Sequence, residues 1–317
     1  MWASLFEAPG TAMPSNVPGH LALCSSARDL PGAYASKPKS SGRRHFLAGL
    51  AVTAAAWPRR RCQCRVEAQQ FDEALRPFWR GRDGYCIPAV EEDLVDAVGA
   101  SQSGEDPDTV GTGASAYGEM TSNGFRKLAA VMGLRKQPQD DDNGCEIFMD
   151  LGSGVGKLVV QAFLEMPAVS KAIGVELSET RSLRAAEAWE SLLLSGMAEE
   201  LRLKATGVAS NELTGQHLKE AVLLSHGDLL DADVSEATSI YVPSLCYGTD
   251  LMRKLARKLD EEAVSAVVVA TLTAFPSGMQ AFSLTETLAD VEMSWTEPGR
   301  SGTPVYIYRR TGKPPLR

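Results

Sequence analysis

The segment Phe148-Met149-Asp150-Leu151-Gly152-Ser153-Gly154-Val155-Gly156-Lys157 constrains this chain more than any other. Residues 146–151 are mostly apolar and read as a buried strand, and the spacing predicts a helix over 156–164. Between them, glycines at 152, 154 and 156 let the backbone turn tightly beside a ligand. A helix that opens at such a turn presents free amide N–H groups, and a turn at the carboxyl end of a strand is where α/β sheets bind nucleotides. A dinucleotide fingerprint would need G-x-G-x-x-G, but Lys157 stands at the third position and the glycines run G-x-G-x-G. Asp150 precedes the turn, where it would repel a pyrophosphate and suit a cation. S-adenosylmethionine, with its sulfonium and ammonium, is therefore the expected cofactor.

Two more acids fall where such a ligand needs them. Glu176 ends the second expected strand, in Gly174-Val175-Glu176, 24 residues after Gly152, near the interval at which an acid grips ribose hydroxyls. Asp228, in Gly227-Asp228-Leu229, follows the third strand and can accept from the exocyclic amine of adenine, with Leu229 packed on the ring. Each also has a plain alternative, a helix-capping acid for Glu176 and a turn residue for Asp228. Tyr117-Gly118-Glu119-Met120-Thr121 lies ahead of the sheet, and on its own it is also a helix-entry turn.

From 145 onward the pattern alternates between strand and helix, which predicts a mainly parallel sheet with helices on both faces. Strands are expected at 146–151, 172–177, 222–225, 239–242 and 266–271. Helices are expected at 156–164, 179–194 and 249–259. The second helix should turn Leu183, Ala186, Trp189 or Glu190, and Leu193 to one side, and the third should turn Leu251, Leu255 and Leu259 inward with its basic residues outward. The chain then offers strand-like segments at 282–288 and 291–295, a turn at Glu297-Pro298-Gly299 and a last strand at 305–309. A closing antiparallel hairpin of this kind is a methyltransferase feature and not one of a nicotinamide dehydrogenase half.

Ahead of the sheet, helical spacing is visible at Phe71, Leu75 and Phe78, at Val90, Leu94, Val95 and Val98, and at Phe125, Leu128, Ala129 and Met132. Ser122 or Asn123 would cap the last of these helices and Gly133 would end it. Residues 99–115 read as a loop and 134–144 as a charged linker. The expected organisation is a disordered or targeting leader over 1–65, a helical lobe over 66–140 and the α/β domain over 141–312.

Charge is unevenly spread along the chain. Residues 1–65 carry +7 and the remainder −15. Arg43-Arg44 before Phe46-Leu47, an apolar stretch over 48–57 and Ala54-x-Ala56 give the leader the look of a plastid-type bipartite presequence with a twin-arginine element. The acidic body is a poor match for DNA phosphates. No apolar run is long enough to span a bilayer, so no integral membrane segment is expected. Cys62 and Cys64 lack a second cysteine or histidine pair at zinc-site spacing, so no metal site is expected and the six cysteines read as free thiols.

Taken together, Tyr117-Gly118-Glu119-x-Thr121, the DLGSGVG turn with Val160-Gln161 following, Gly174-Val175-Glu176 and Gly227-Asp228-x-Leu230 resemble the Dot-one (disruptor of telomeric silencing) histone-lysine methyltransferases over roughly residues 115–275. The resemblance implies a Rossmann-like, seven-strand S-adenosylmethionine-dependent fold with a helical N-terminal lobe. It implies that Tyr117 and Glu119 lie on a loop over the methionine moiety. It further implies that Asp150, Gly152, Ser153, Gly154, Gly156 and Gln161 line the cofactor, that Glu176 holds the ribose, and that Asp228 and Leu229 hold the adenine. It also implies a protein substrate, histone by analogy, and a nuclear location.

The chain departs from the family at the fourth strand. The family places asparagine beside the transferred methyl, whereas this chain reads Val242-Pro243-Ser244-Leu245-Cys246-Tyr247, and Pro243 has neither a side-chain amide nor a backbone N–H. The catalytic positions expected here are Tyr117, Ser244 and Tyr247, with Tyr247 in the lysine channel. Two alternatives stand beside a histone-directed enzyme. One is an organellar methyltransferase acting on another protein or a small molecule, and the other is a module that binds the cofactor without turning it over.

Overall fold

The computed structural model describes residues 67–99, 117–136, 145–207 and 215–312. The leader and the cysteines at 24, 62 and 64 lie outside the described residues, as do the cores of the loop and linker expected around 99–115 and 134–144. Residues 67–75 form helix α1, which passes into a 3-10 turn over Arg76–Trp79. α2 (Ala89–Gly99) and α3 (Ser122–Met132) complete the helical lobe.

A seven-stranded sheet follows: β1 (Glu146–Leu151), β2 (Val169–Glu176), β3 (Val222–His226), β4 (Ser239–Val242), β5 (Val268–Thr271), β6 (Phe282–Val291) and β7 (Thr303–Arg310). Their spatial order is β3-β2-β1-β4-β5-β7-β6. The first five strands pair in parallel, and β7 is inserted antiparallel between β5 and β6. The connecting helices are α4 (Lys157–Glu165), α5 (Glu179–Leu194), α6 (Met197–Thr206), α7 (Gly215–Ala221) and α8 (Thr249–Glu262).

The strand period of two divides the core. Phe148, Ala172, Val222, Tyr241, Ala270 and Ile307 face one side, where α3, α4, α6 and the Phe71–Leu75–Trp79 edge of the lobe pack. Met149, Leu151, Ile173, Ile240, Val242 and Val269 face the other, against the Leu251–Leu255–Leu259 stripe of α8. Asp150 shares the parity of Phe148, so an acid points into an otherwise apolar layer. In register it pairs with Gly174 on one neighbouring strand and Tyr241 on the other.

Several boundaries and faces differ from expectation. Residues 282–291 are one bulged strand, not two segments broken at 289–290. Asp290 adopts φ 62° there, and its carboxylate accepts from Gly302 N at 2.5 Å. α3 is capped by neither Ser122 nor Asn123. Thr121 is the N-cap and accepts from Gly124 N, while Gly133 ends the helix in the left-handed region. α5 is rotated by one residue from the expected face. Arg181, Ser182, Ala185, Ala188, Trp189 and Leu192 are buried, whereas Leu183 is 56% exposed. In α2 only Val95 is buried and Val90 and Leu94 are open. On α8, Lys258 is buried, against the expectation that its basic residues face out.

Candidate functional site

The β1–α4 turn is built on left-handed backbone. Gly152, Gly154 and Gly156 have φ of 117°, 55° and 75°, a region L side chains rarely adopt. Space forbids a side chain as well. A Cβ on Gly152 would fall 2.5 Å from the Tyr247 hydroxyl, and one on Gly154 would fall 2.8 Å from the Tyr117 ring. A Cβ on Gly156 would crowd Ala185 at 3.0 Å and Leu224 at 3.1 Å.

Four elements converge on this turn. From β2, Glu176 is buried; its carboxylate accepts from Gly154 N at 2.8 Å and Ser178 N at 3.0 Å. From the helical lobe, the Trp79 indole donates to the Val155 carbonyl at 2.7 Å. From the loop before α3, the Tyr117 ring lies over Gly154, with the Arg181 guanidinium stacked on it at 4.7 Å. From the segment after β4, Tyr247 donates to the Leu151 carbonyl at 3.2 Å. The lobe is also fastened to α5, where Arg181 and Arg184 donate to the carbonyls of Gly84 and Asp83. Glu91 of α2 accepts from the hydroxyls of Ser178 and Thr180 and from Thr180 N. Burial pushes the Glu91 carboxyl up, but these three hydrogen bonds outweigh it and hold the group below its ordinary range.

Two adjoining clefts open at the turn and share Tyr117, Gly118, Gly152, Gly154 and Pro243. The first runs past Glu176, Asp228 and Leu229, with Val95 and Val98 of α2 and Tyr247 as walls. The second contains Glu119, Asp150, Ser153 and Lys157, and is walled by Tyr241, Leu272 and Trp295. Asp150 is 3% exposed, and its Oδ1 has no hydrogen-bond partner among the described residues. Burial, followed by the nearby Glu176 charge, drives its carboxyl well above the usual carboxylate range. Burial also raises the phenols of Tyr117, Tyr241 and Tyr247, with neighbouring charge or phenol groups adding to it, so all three stay protonated.

The loop carrying Tyr117 and Glu119 is held by the far end of the chain. Thr121 N donates to the Glu292 carbonyl, Ser294 N donates to the Glu119 carbonyl, and Glu119 N donates to Ser294 Oγ. Gly118 sits against the Trp295 ring, where a Cβ would fall at 2.3 Å. The Glu119 carboxylate accepts from the Tyr117 hydroxyl and pairs with Lys157 Nζ at 2.6 Å.

Three expected positions line neither cleft. Gly156 caps α4 and lets α5 and β3 approach. Gln161 is 4% exposed and faces α3, donating to the Ser122 carbonyl and Glu165. Ser244 is fully buried; its hydroxyl accepts from Thr273 N at 3.0 Å and its carbonyl from the Thr273 hydroxyl. Lys157, Arg181, Tyr241, Leu272 and Trp295 line the clefts without having been singled out. The signal for Lys157 was its place at the end of the glycine turn and that for Tyr241 its parity in β4. Trp295, far off in sequence, gave none.

A seven-stranded sheet of this order, with its ligand turn at β1 and an acid at the end of β2, is the S-adenosylmethionine-dependent methyltransferase class. The family model described as "Histone methylation protein DOT1" matches residues 111–290. The chain belongs to that family and is a methyltransferase that uses S-adenosylmethionine. Solved structures of similar fold include an RNA methyltransferase from Salinibacter ruber in complex with S-adenosyl-L-homocysteine. It is 19% identical with a TM-score of 0.39, covering 62% of this chain and 96% of that one. Another is magnesium protoporphyrin IX methyltransferase from Synechocystis PCC 6803 with bound S-adenosylmethionine. It is 12% identical with a TM-score of 0.38, covering 59% and 78%. No curated protein matches the chain. No helix among the described residues is long and apolar enough to cross a membrane.

Proposed function

We propose that this chain methylates lysine on a basic protein, a histone or histone-like tail, with its cofactor lying along the two clefts. The observation that carries the placement is Asp150. A buried carboxylate with an unpartnered oxygen, beside a turn whose glycines have no room for side chains, fits a cationic ligand and little else. On this reading Asp150 holds the cofactor's ammonium, Glu176 the ribose, and Asp228 and Leu229 the adenine. Tyr117 and Glu119 close over the middle.

When bound, the cofactor supplies an electrophilic methyl group on a sulfonium, and the chain's contribution is positioning. The target amine must be neutral to attack. Tyr241, Pro243, Leu272 and Trp295 wall the second cleft with largely apolar surface, and excluding water there favours the uncharged amine. Tyr117 at the junction of the clefts and Tyr247 on the wall of the first are protonated hydroxyls that orient groups without adding charge. Ser244 ties the end of β4 to the loop after β5, which is a structural role.

Two features favour a basic protein over a nucleic-acid substrate: family membership and the −15 charge of residues 66–317, which attracts cationic tails and repels phosphates. Nuclear location goes with that membership, and the presequence-like leader is the argument for a plastid. One observation favours cofactor binding without turnover: Pro243 brings no amide to the neck between the clefts.

Incubating the full chain with radiolabelled S-adenosylmethionine and, separately, core histones, nucleosomes and stromal protein would test this. Label on histone lysine supports the proposal, and label on stromal protein alone moves the substrate to the organelle. Saturable cofactor binding with no labelled product would leave the binding-module reading.

A further inference from the structure

Resting on that cofactor placement, we infer that Lys157 is the residue that reads the carboxylate of the cofactor's amino-acid end. That end is a zwitterion, so a cleft that holds it must answer both charges. Asp150 answers the ammonium. The same cleft also holds Glu119, and a carboxylate brought beside two acids is repelled unless a cation intervenes. Lys157 is the sole cationic side chain among the described residues lining this cleft. Its side chain is 39% exposed and already anchored, with Nζ 2.6 Å from Glu119, and it lies at the first position of α4, where the helix dipole also favours an anion. Arg181, the cation of the neighbouring cleft, is committed elsewhere. It donates to the Gly84 carbonyl, stacks on Tyr117 and approaches Glu176 at 3.8 Å. Glu119 thus aims Lys157, and Lys157 screens Glu119 from the ligand.

The test is calorimetric titration of the full chain with two ligands. S-adenosylhomocysteine carries the amino-acid end, and 5′-methylthioadenosine lacks it. Lys157→Gln should weaken S-adenosylhomocysteine roughly tenfold or more, the scale of one charged hydrogen bond, because it removes the cation and uncovers Glu119. Methylthioadenosine should bind as before, and Lys157→Arg should keep most of the affinity for S-adenosylhomocysteine. Unchanged S-adenosylhomocysteine binding in Lys157→Gln would overturn the inference. So would a parallel loss of both ligands, which would mean a distorted turn. A wild-type chain that binds neither ligand would remove the cofactor placement itself, a failure distinct from the other two.

Discussion

The indole of Trp79 donates to the carbonyl of Val155 at 2.7 Å, joining the helical lobe to the middle of the glycine turn. Trp79→Phe keeps the ring's apolar contacts and deletes the donor, leaving a buried carbonyl unpaired. The expected cost is about 1–3 kcal/mol of stability. It should appear as a fall of roughly 2–10 °C in Tm by calorimetry, since each kcal/mol shifts a domain of this size by a few degrees. An unchanged Tm would mean that the turn is held without the lobe.

Gly154 is the position of the turn that faces the Tyr117 ring. Gly154→Ala puts a methyl group at φ 55°, in contact with the Tyr117 ring. Left-handed backbone costs a non-glycine residue about 1–2 kcal/mol, and Tyr117 must also move. S-adenosylhomocysteine affinity should fall by more than roughly tenfold with the circular dichroism spectrum unchanged. Wild-type affinity in this variant would show that the turn does not carry the ligand.

Asp150 gives a pH dependence of definite sign. Its folded pKa is raised, so the ligand-free protein holds a proton there more tightly than the unfolded chain does. The associated stability is lost as pH rises from the usual carboxylate range toward the raised value. A cationic ligand needs the ionised form, so binding should release protons and tighten as pH rises through that window. Calorimetry in buffers of different ionisation enthalpy reads the release directly. Asp150→Asn should abolish both the release and the binding while raising the ligand-free Tm at neutral pH. A ligand-free variant no more stable than wild type would contradict the burial cost assigned to this carboxylate.

Ser244→Ala separates structure from chemistry. The Thr273 amide loses its acceptor, which should cost about 1–2 kcal/mol. Because Ser244 lines neither cleft, kcat on a methylated substrate should stay within about twofold, an effect under 0.5 kcal/mol. A large fall in kcat with an unchanged Tm would instead make the hydroxyl catalytic.

What could be read from the sequence follows from how local each signal is. The β1 turn is a contiguous run whose glycines each answer a backbone need, and Phe148-Met149-Asp150-Leu151 alternates between the two core faces as a buried strand does. α5 was placed to the residue but rotated by one, because its buried side is made of Ala185, Ala188 and Ser182 with an inward Arg181, while Leu183 points out. Counting large apolar residues favours the wrong stripe on such a helix. α6 and α7 carried no expectation, since Met197–Thr206 buries only Ala198, Leu201 and Arg202. In the candidate site, Asp150, Glu176 and Asp228 sit at strand ends, where topology alone brings them together. The closing hairpin was legible, but the partners that bring Lys157 and Trp295 to the clefts, Glu119 and Gly118, lie far off in sequence and no local pattern encodes them.

That hairpin also sets an order of assembly. Glu119 and Ser294, bonded to each other twice, are 175 residues apart in the chain. During synthesis, β1 to β5 can pair and the glycine turn can form before residues 292–295 have left the ribosome, whereas the Tyr117 loop then has nothing to dock on. Closing so long a loop is entropically slow. The roof of the site therefore depends on the last-made part of the sheet, and the loop carrying Tyr117 and Glu119 has its anchor only once residues 292–295 are in place.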